Sequence, residues 1–214
     1  MSYRKHAIAL GLASCAALVA MAIVAFKTGA TQEEFEHVAA PADYSMRLIA
    51  HGAGLRVLMA LDVAFLVLYS AFFALFAAYL RGRGAPALLV WLGLGALLAV
   101  GVLDAIEDHH IIAMLDAARH QIAISIDAIT FQAAESASKF TASDIGLVLI
   151  GLAIPRTNRL GLALAAVLVL GTLASAILTN ATAPSSMAAL EAGRGVGFLV
   201  GFGLAIAWLR GEPD

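Results

Sequence analysis

The stretch that decides the fold is LRVLMALDVAFLVLYSAFFALFAAYL, at residues 55–80. It is long enough to cross the hydrocarbon core of a bilayer, which takes about 20 largely apolar residues. Arginines and glycines follow it directly, at residues 81–84. The whole chain is similar in character, since 62% of its 214 residues are hydrophobic and 13% are charged. A soluble domain carries about 25% charged residues, so the sequence predicts an integral membrane protein.

Further apolar stretches of similar length predict an all-α bundle of six membrane-spanning helices. The fourth stretch is clearly apolar only from residue 142 onwards, so its helix must begin earlier, in weakly polar sequence. The predicted spans are residues 7–26, 55–80, 87–106, 135–154, 160–178 and 187–209. They leave two longer segments, residues 27–54 and 107–134, at the same side of the membrane.

The distribution of charge predicts the orientation of the bundle. Six spans place both termini and two short connections on one side, which then carries seven basic and two acidic residues. The opposite side carries four basic and nine acidic residues. Because Lys and Arg in short connections tend to stay in the cytoplasm, both termini are predicted to be cytoplasmic. The composition is that of a bacterial inner-membrane protein.

Cysteine content and net charge exclude several classes of function. A single cysteine excludes an intrachain disulfide framework and Cys-ligated metal centres. A net charge of -2 leaves no basic surface for nucleic acid. The predicted surroundings are therefore the lipid bilayer and other membrane helices.

Small residues recur at every fourth position of the sixth predicted span, at Gly193, Gly197 and Gly201. This spacing places them on one helix face, where another backbone can approach closely. Two interpretations stay open: packing within the bundle, or an interface with a second copy or a partner membrane subunit.

The segment after the third predicted span has an amphipathic pattern. Its apolar residues recur at spacings of three and four, which is typical of a helix with one buried face. They are Ile111, Leu115, Ala118, Ile122, Ile126 and Ile129. We predict a helical cap over the outer end of the bundle. Glu135 and Lys139, four residues apart, are expected to form a solvated pair on it.

Ionisable residues inside apolar spans are costly and usually face a bundle interior, a cavity or a partner. Asp62 lies in the second span, with Tyr69 on the same helix face. In the third span Asp104, Glu107 and Asp108 share a face. Three such carboxylates repel one another, so they must share a proton, bind a cation, or pair with a base. Arg56 and Arg194 are the predicted counter-charges.

Histidines are concentrated toward the same predicted outer side. His51, His109, His110 and His120 are the candidates for a metal site, because imidazole with carboxylate suits zinc or another divalent transition metal. The other interpretation is that they lie at solvated helix ends.

Two short motifs resemble those of small bacterial polytopic membrane proteins of unassigned function. Leu61, Asp62, Phe65 and Tyr69 match an LDxxFxxxY helix, and Asp104, Glu107 and Asp108 match a following DxxE(N/D) helix. Asp108 stands where that pattern usually has Asn. The resemblance covers the second and third predicted spans. It implies a membrane protein of this kind and no particular activity.

Two functional hypotheses follow. In the first, which we favour, the chain is transporter-like or an accessory subunit, and its outer acidic cluster handles a cation, a proton or an amphipathic ligand. In the second, the chain is a metal-dependent hydrolase acting on lipid. His109 and His110, with His51 or His120, would then hold the metal beside Asp104 or Glu107.

Overall fold

The computed structural model describes residues 3–181 and 187–212, and every regular element in these ranges is helical. The prediction of an all-helical protein is therefore confirmed. Five helices are apolar and long enough to cross a membrane. They are Tyr3–Thr28, Pro41–Gly82, Ala87–Arg119, Arg159–Thr179 and Gly193–Gly211. The chain is compatible with a multi-pass membrane protein.

The elements follow one another along the chain as long helices with short connections. A 3₁₀ turn, Glu33–Phe35, lies between the first two helices, and a π-helical turn, Val167–Gly171, joins α5 to α6 in one continuous helix. The helices are α1 (Tyr3–Thr28), α2 (Pro41–Gly82), α3 (Ala87–Arg119), α4 (Ile126–Ala153), α5 (Arg159–Ala166), α6 (Thr172–Ala181) and α7 (Met187–Gly211).

The segments predicted to lie between spans belong largely to the long helices. Helix α2 begins at Pro41, whose fixed φ suits the first helical position, and passes through Gly52 and Gly54 without a break. Helix α3 continues beyond residue 106 to Arg119. The prediction of a separate helical cap over residues 107–134 is wrong, because residues up to Arg119 continue α3 and residues from Ile126 belong to α4. Of the apolar stripe, Ile111, Leu115 and Ala118 extend the buried face of α3, whereas Ile122 and Ile126 are exposed.

The reversal between α3 and α4 is built from local signals. Gln121 has a φ of 58°, a left-handed conformation that is common just beyond a helix C-terminus. Ser125 then caps α4, and its Oγ accepts a hydrogen bond from the backbone N–H of Ala128 at 3.1 Å. Helix α4 therefore runs back along α3 and packs against it.

Close helix packing occurs between α3 and α4, where Gly93 and Gly146 face each other. A Cβ on Gly146 would lie 2.7 Å from Leu97 Cγ and 3.2 Å from the Gly93 carbonyl oxygen. Only glycine permits this approach, which is the small-residue packing typical of membrane helices.

The glycine stripe of α7 behaves differently. A Cβ on Gly193 or Gly197 would meet nothing within 4 Å, and one on Gly201 would meet only Leu168 Cδ2, at 3.8 Å. Among the described residues, no helix therefore packs closely on Gly193 or Gly197, whereas Gly201 is in ordinary contact with Leu168.

One end of the bundle is held together by Glu212, which is buried just after α7. Its carboxylate accepts hydrogen bonds from Arg83 Nη2 at 2.6 Å and Asn158 Nδ2 at 2.8 Å. Its backbone carbonyl accepts one from Arg4. Helices α1, α2, α5 and α7 thus meet at one end, which we call the arginine-rich end.

A polar layer divides the buried interior into two apolar clusters. In α2, Met59 belongs to one cluster and Phe65 to the other, and Asp62 lies between them. In α3, residues 104–108 occupy the corresponding level. At a rise of 1.5 Å per residue, Asp62 lies about 30 Å along α2 from Gly82, which is about the thickness of a hydrocarbon core.

Candidate functional site

Three aspartates form the centre of the polar layer. Asp62 extends from α2, and Asp104 and Asp108 lie one turn apart on α3. All three are buried, and each offers a carboxylate oxygen within 4.8 Å of those of the other two. The sequence indicated each of these residues, and the fold brings them together because α2 and α3 pack side by side.

Lys139 supplies the positive charge of this layer. Its Nζ lies 2.7 Å from Asp104 Oδ1 and 2.5 Å from Glu107 Oε2, and its side chain is 7% exposed. The prediction that Lys139 forms a solvated pair with Glu135 is therefore wrong. Glu135 instead lies 2.8 Å from His110 Nδ1.

A stripe on α4 could have revealed the position of Lys139. Its polar members recur at helical spacings of four, three and four, and all of them are buried. They are Gln132, Ser136, Lys139 and Ser143. Such a stripe in otherwise apolar sequence indicates a face directed at a polar interior.

Several donors converge on the Glu107 carboxyl group. Besides Lys139, Gln132 Nε2 donates to its Oε1 at 3.1 Å, and Ser136 Oγ donates to the same oxygen. Glu107 therefore has a structural role as a partner of Lys139.

Asp62 and Asp108 have fewer partners. Gln32 Nε2 donates to Asp108 Oδ1 at 3.2 Å. The Oδ2 atoms of Asp62 and Asp108 are buried without a hydrogen-bond partner among the described residues. Carboxyl groups this close to one another are stabilised when they share a proton or bind a cation.

A cavity of about 150 Å³ opens beside Asp62 and Asp104. Asp62, Asp104 and Lys139 line one side, and Tyr69 and Phe65 line another. The Tyr69 hydroxyl donates to the backbone carbonyl of Leu97 at 3.1 Å. Tyr69 therefore shapes the cavity next to the aspartates, while its proton is committed to the backbone.

Glu36 joins the layer from the connection between α1 and α2, and sequence reasoning missed it as a site residue. Its Oε1 lies 3.6 Å from Lys139 Nζ. Burial raises the pKa of Glu36 to about 8, with Lys139 opposing the increase and Glu107 adding to it. Three buried carboxyl groups thus lie within 4 Å of one ammonium, those of Glu36, Asp104 and Glu107, and Asp62 and Asp108 are buried next to Asp104.

This pKa predicts how stability depends on pH. The folded protein keeps a proton on Glu36 that the unfolded chain releases near the ordinary pKa of 4.5. The stabilisation is complete below that pH and is lost as pH rises toward 8. Between about pH 5 and about pH 9, Glu36→Gln should therefore lose on the order of 4 kcal/mol less unfolding free energy than the wild type.

Unfolding of both proteins in detergent micelles measures the difference. Asp43→Asn, an exposed carboxyl group in the first turn of α2, is the control and should follow the wild type. Equal pH slopes for Glu36→Gln and the wild type would contradict the prediction.

Among the described residues, neither predicted counter-charge forms an ion pair with the three aspartates. Arg56 pairs with Asp116 on the exposed side of α2 and α3, so it does not join the aspartates. Arg194 lines the cavity, but its guanidinium carbon lies 3.8 Å above the centre of the Phe140 ring. It also donates to Thr179 Oγ1 at 3.2 Å.

The four candidate metal-binding histidines do not converge. His109 Nδ1 lies 2.6 Å from the Ala105 carbonyl oxygen, and His120 Nδ1 lies 2.8 Å from that of Asp116. His110 pairs with Glu135, and His51 Nε2 lies 3.8 Å from Glu34. In the described part of the chain, the group of side chains arranged to hold a metal consists of aspartates alone.

Fold and site together define a helical protein with a buried acidic layer between apolar helices long enough to cross a membrane. No protein-family model, curated protein or solved structure matches the chain.

Proposed function

We propose that the chain is a six-span inner-membrane protein with cytoplasmic termini that binds a small, hard cation in exchange for protons. The cation site is Asp62, Asp104 and Asp108, at the outer boundary of the membrane. The protein would act as a transporter or as the cation-binding subunit of a membrane complex.

Helix α4 supplies the sixth span in this proposal. Its half nearest the arginine-rich end is apolar, and its Lys139 is buried against α3 rather than directed toward lipid. The connections at that end carry Arg81, Arg83, Arg156 and Arg159, which the positive-inside rule assigns to the cytoplasm. The polar layer, about 30 Å away along α2, would then lie near the outer surface.

The observation that carries the proposal is the cluster of three buried carboxyl groups, Asp62, Asp104 and Asp108, of which Asp62 and Asp104 line a cavity. Carboxylate oxygens are the ligands that Mg²⁺, Ca²⁺ and Mn²⁺ prefer. A cation at this site would be shared by three carboxylates from two helices. The charge of Lys139 is already divided between Asp104 and Glu107.

Protons are the natural competitors at this site. Carboxylates in contact cannot all remain charged without a counter-ion, so at least one carboxyl group holds a proton when no cation is bound. Binding of a divalent cation would release it. The hydrolase hypothesis lacks comparable support, because its four histidines lie at separate places.

Binding of Mn²⁺ to the purified protein tests the proposal. We expect about one Mn²⁺ per chain by titration calorimetry, with proton release in weakly buffered solution. Asp62→Asn keeps the shape of the side chain but removes one negative ligand, so its affinity should fall at least about tenfold. Asp116→Asn is the matched control, since it removes an exposed carboxylate of α3 and should bind like the wild type.

An unchanged affinity in Asp62→Asn would overturn the assignment of the site. Proteoliposomes that contain a Mn²⁺-quenched dye then distinguish the two forms of the proposal. A transporter quenches the dye when Asp62 is intact and not in Asp62→Asn. A binding subunit binds Mn²⁺ without quenching the dye.

A further inference from the structure

We infer that the open face of α7 binds one anionic phospholipid. The site is a groove of about 200 Å³ between α7, α4, α2 and the π-helical turn. Gly193, Gly197 and Gly201 form its α7 wall, which we call the glycine wall. Phe72, Phe73 and Leu168 lie among the side chains opposite. The groove is mainly apolar, as an acyl chain requires.

The glycine wall is open because no helix of the described chain fills it. A Cβ on Gly193 or Gly197 would meet nothing within 4 Å. The facing helix is wound as a π turn over Val167–Gly171, a conformation found often at functional sites. Leu168 within this turn lines the groove. Both walls therefore depart from the close packing seen between Gly93 and Gly146.

Arg194 gives the groove a charged end. Its guanidinium is half-buried, stacks on the Phe140 ring and donates one hydrogen bond to Thr179. A guanidinium has five N–H donors in a planar fork, and among the described residues one of them is used by Thr179. That fork matches the geometry of a phosphate group and binds it through two parallel hydrogen bonds.

The depths of these residues match the dimensions of a lipid. Along α7, Arg194 lies about 25 Å and Gly201 about 15 Å from Gly211 at 1.5 Å per residue. With a hydrocarbon core of about 30 Å, Arg194 lies near the headgroup level and the glycine wall descends toward the membrane centre. Thr172 and Ser175 line the groove near this level, where hydroxyl groups can contact the glycerol esters.

The site is distinct from the cation site and does not depend on it. Phe140, Ser143, Arg194 and Phe198 line both cavities, so the two sites are neighbours across the stacked Arg194. Asp144 lies on the groove wall and interacts electrostatically with Arg194. Loss of cation binding in Asp62→Asn should therefore leave lipid binding unchanged.

Binding of added lipid to the delipidated protein tests the inference. Native mass spectrometry of the wild type, delipidated and then incubated with mixed micelles of phosphatidylglycerol and phosphatidylcholine, should show one bound phosphatidylglycerol. Gly197→Leu places a side chain in the groove and should reduce this occupancy about tenfold. Arg194→Gln should abolish the preference for phosphatidylglycerol over phosphatidylcholine, because both lipids carry a phosphate and the lost positive charge is what favours the headgroup with a net negative charge.

Matched variants separate these effects from general damage. Val196→Leu adds bulk on an exposed position of the same helix, and Arg210→Gln removes a charge at its other end. Both should bind lipid like the wild type. If Gly197→Leu does not fold, the phosphatidylglycerol occupancies of the wild type, Gly197→Ala and Arg194→Gln decide the question.

Three results would overturn the inference. The wild type could bind no phosphatidylglycerol after delipidation, or Arg194→Gln could keep the same preference. The wild type could also be a dimer that Gly197→Leu converts to a monomer without changing lipid occupancy, which would make the glycine wall an interface between copies.

Discussion

Replacing Lys139 by methionine should destabilise the folded protein by about 3–5 kcal/mol, the range found when one partner of a buried ion pair is removed. The ammonium contacts Asp104 and Glu107 in a site that is almost closed to solvent. Methionine keeps much of the length and the apolar stem of lysine, so the substitution removes mainly the charge. The loss is measured as a fall in unfolding free energy in detergent micelles at about pH 8.

The loss should depend on pH, because protonated carboxyl groups no longer need the ammonium. Lys139 opposes the increase in the pKa of Glu36, so its removal raises that pKa further. The folded variant then holds protons to higher pH than the unfolded chain does, and stability returns as the pH is lowered. We expect most of the loss to disappear at about pH 5.

Two further variants test whether charge is the cause. Lys27→Met makes the same change at an exposed position of α1 and should have little effect. Glu107→Gln combined with Lys139→Met removes one of the uncompensated carboxylates and should be more stable than Lys139→Met alone. A Lys139→Met protein as stable as the wild type at about pH 8 would contradict this account of the polar layer.

The proposed cation site adds a consequence for the same variant. Without Lys139, a cation beside Asp104 meets one less positive charge and more uncompensated carboxylates. Mn²⁺ should therefore raise the unfolding temperature of Lys139→Met more than that of the wild type. Both proteins titrated in parallel show whether the aspartates accept a cation where the ammonium had been.

Much of the acidic half of the site was predictable from the sequence. A charge within apolar helical sequence must face the interior, and helical periodicity then places Asp104, Glu107 and Asp108 on one face. The same rule singled out Asp62. These arguments need only one helix at a time. The sequence also predicts, from repulsion alone, that these carboxylates require a partner.

The positively charged partner of these carboxylates was not predictable in this way, because its identity depends on which helices face one another. Arg56 and Arg194 were the more obvious counter-charges, since both lie in strongly apolar spans. In the fold, Arg56 contacts Asp116 and Arg194 stacks on Phe140. The partner is Lys139, in the least apolar of the long helices. Lys139 reaches Asp104 because the turn at Gln121 reverses the chain, so that α4 packs along α3.

Replacing Gly146 by leucine should destabilise the protein by about 3 kcal/mol, at the upper end of the cost of overpacking. Even a Cβ at this position would lie 2.7 Å from Leu97 Cγ and 3.2 Å from the Gly93 carbonyl oxygen. Leu97 is fully buried and has little room to move, and the backbone of Gly93 has none. Helix α4 must therefore shift away from α3. Chemical unfolding in micelles measures the cost.

Gly95→Leu is the control for Gly146→Leu, because a Cβ on Gly95 would meet nothing within 4 Å. The shift of α4 should also reach the polar layer, since Lys139 lies two turns from Gly146 on the same helix face. Gly146→Leu should therefore weaken Mn²⁺ binding as well as stability, whereas Gly95→Leu changes neither. If Gly146→Leu were as stable as Gly95→Leu, the direct contact between the α3 and α4 backbones would be disproved, and with it the basis for holding Lys139 against Asp104.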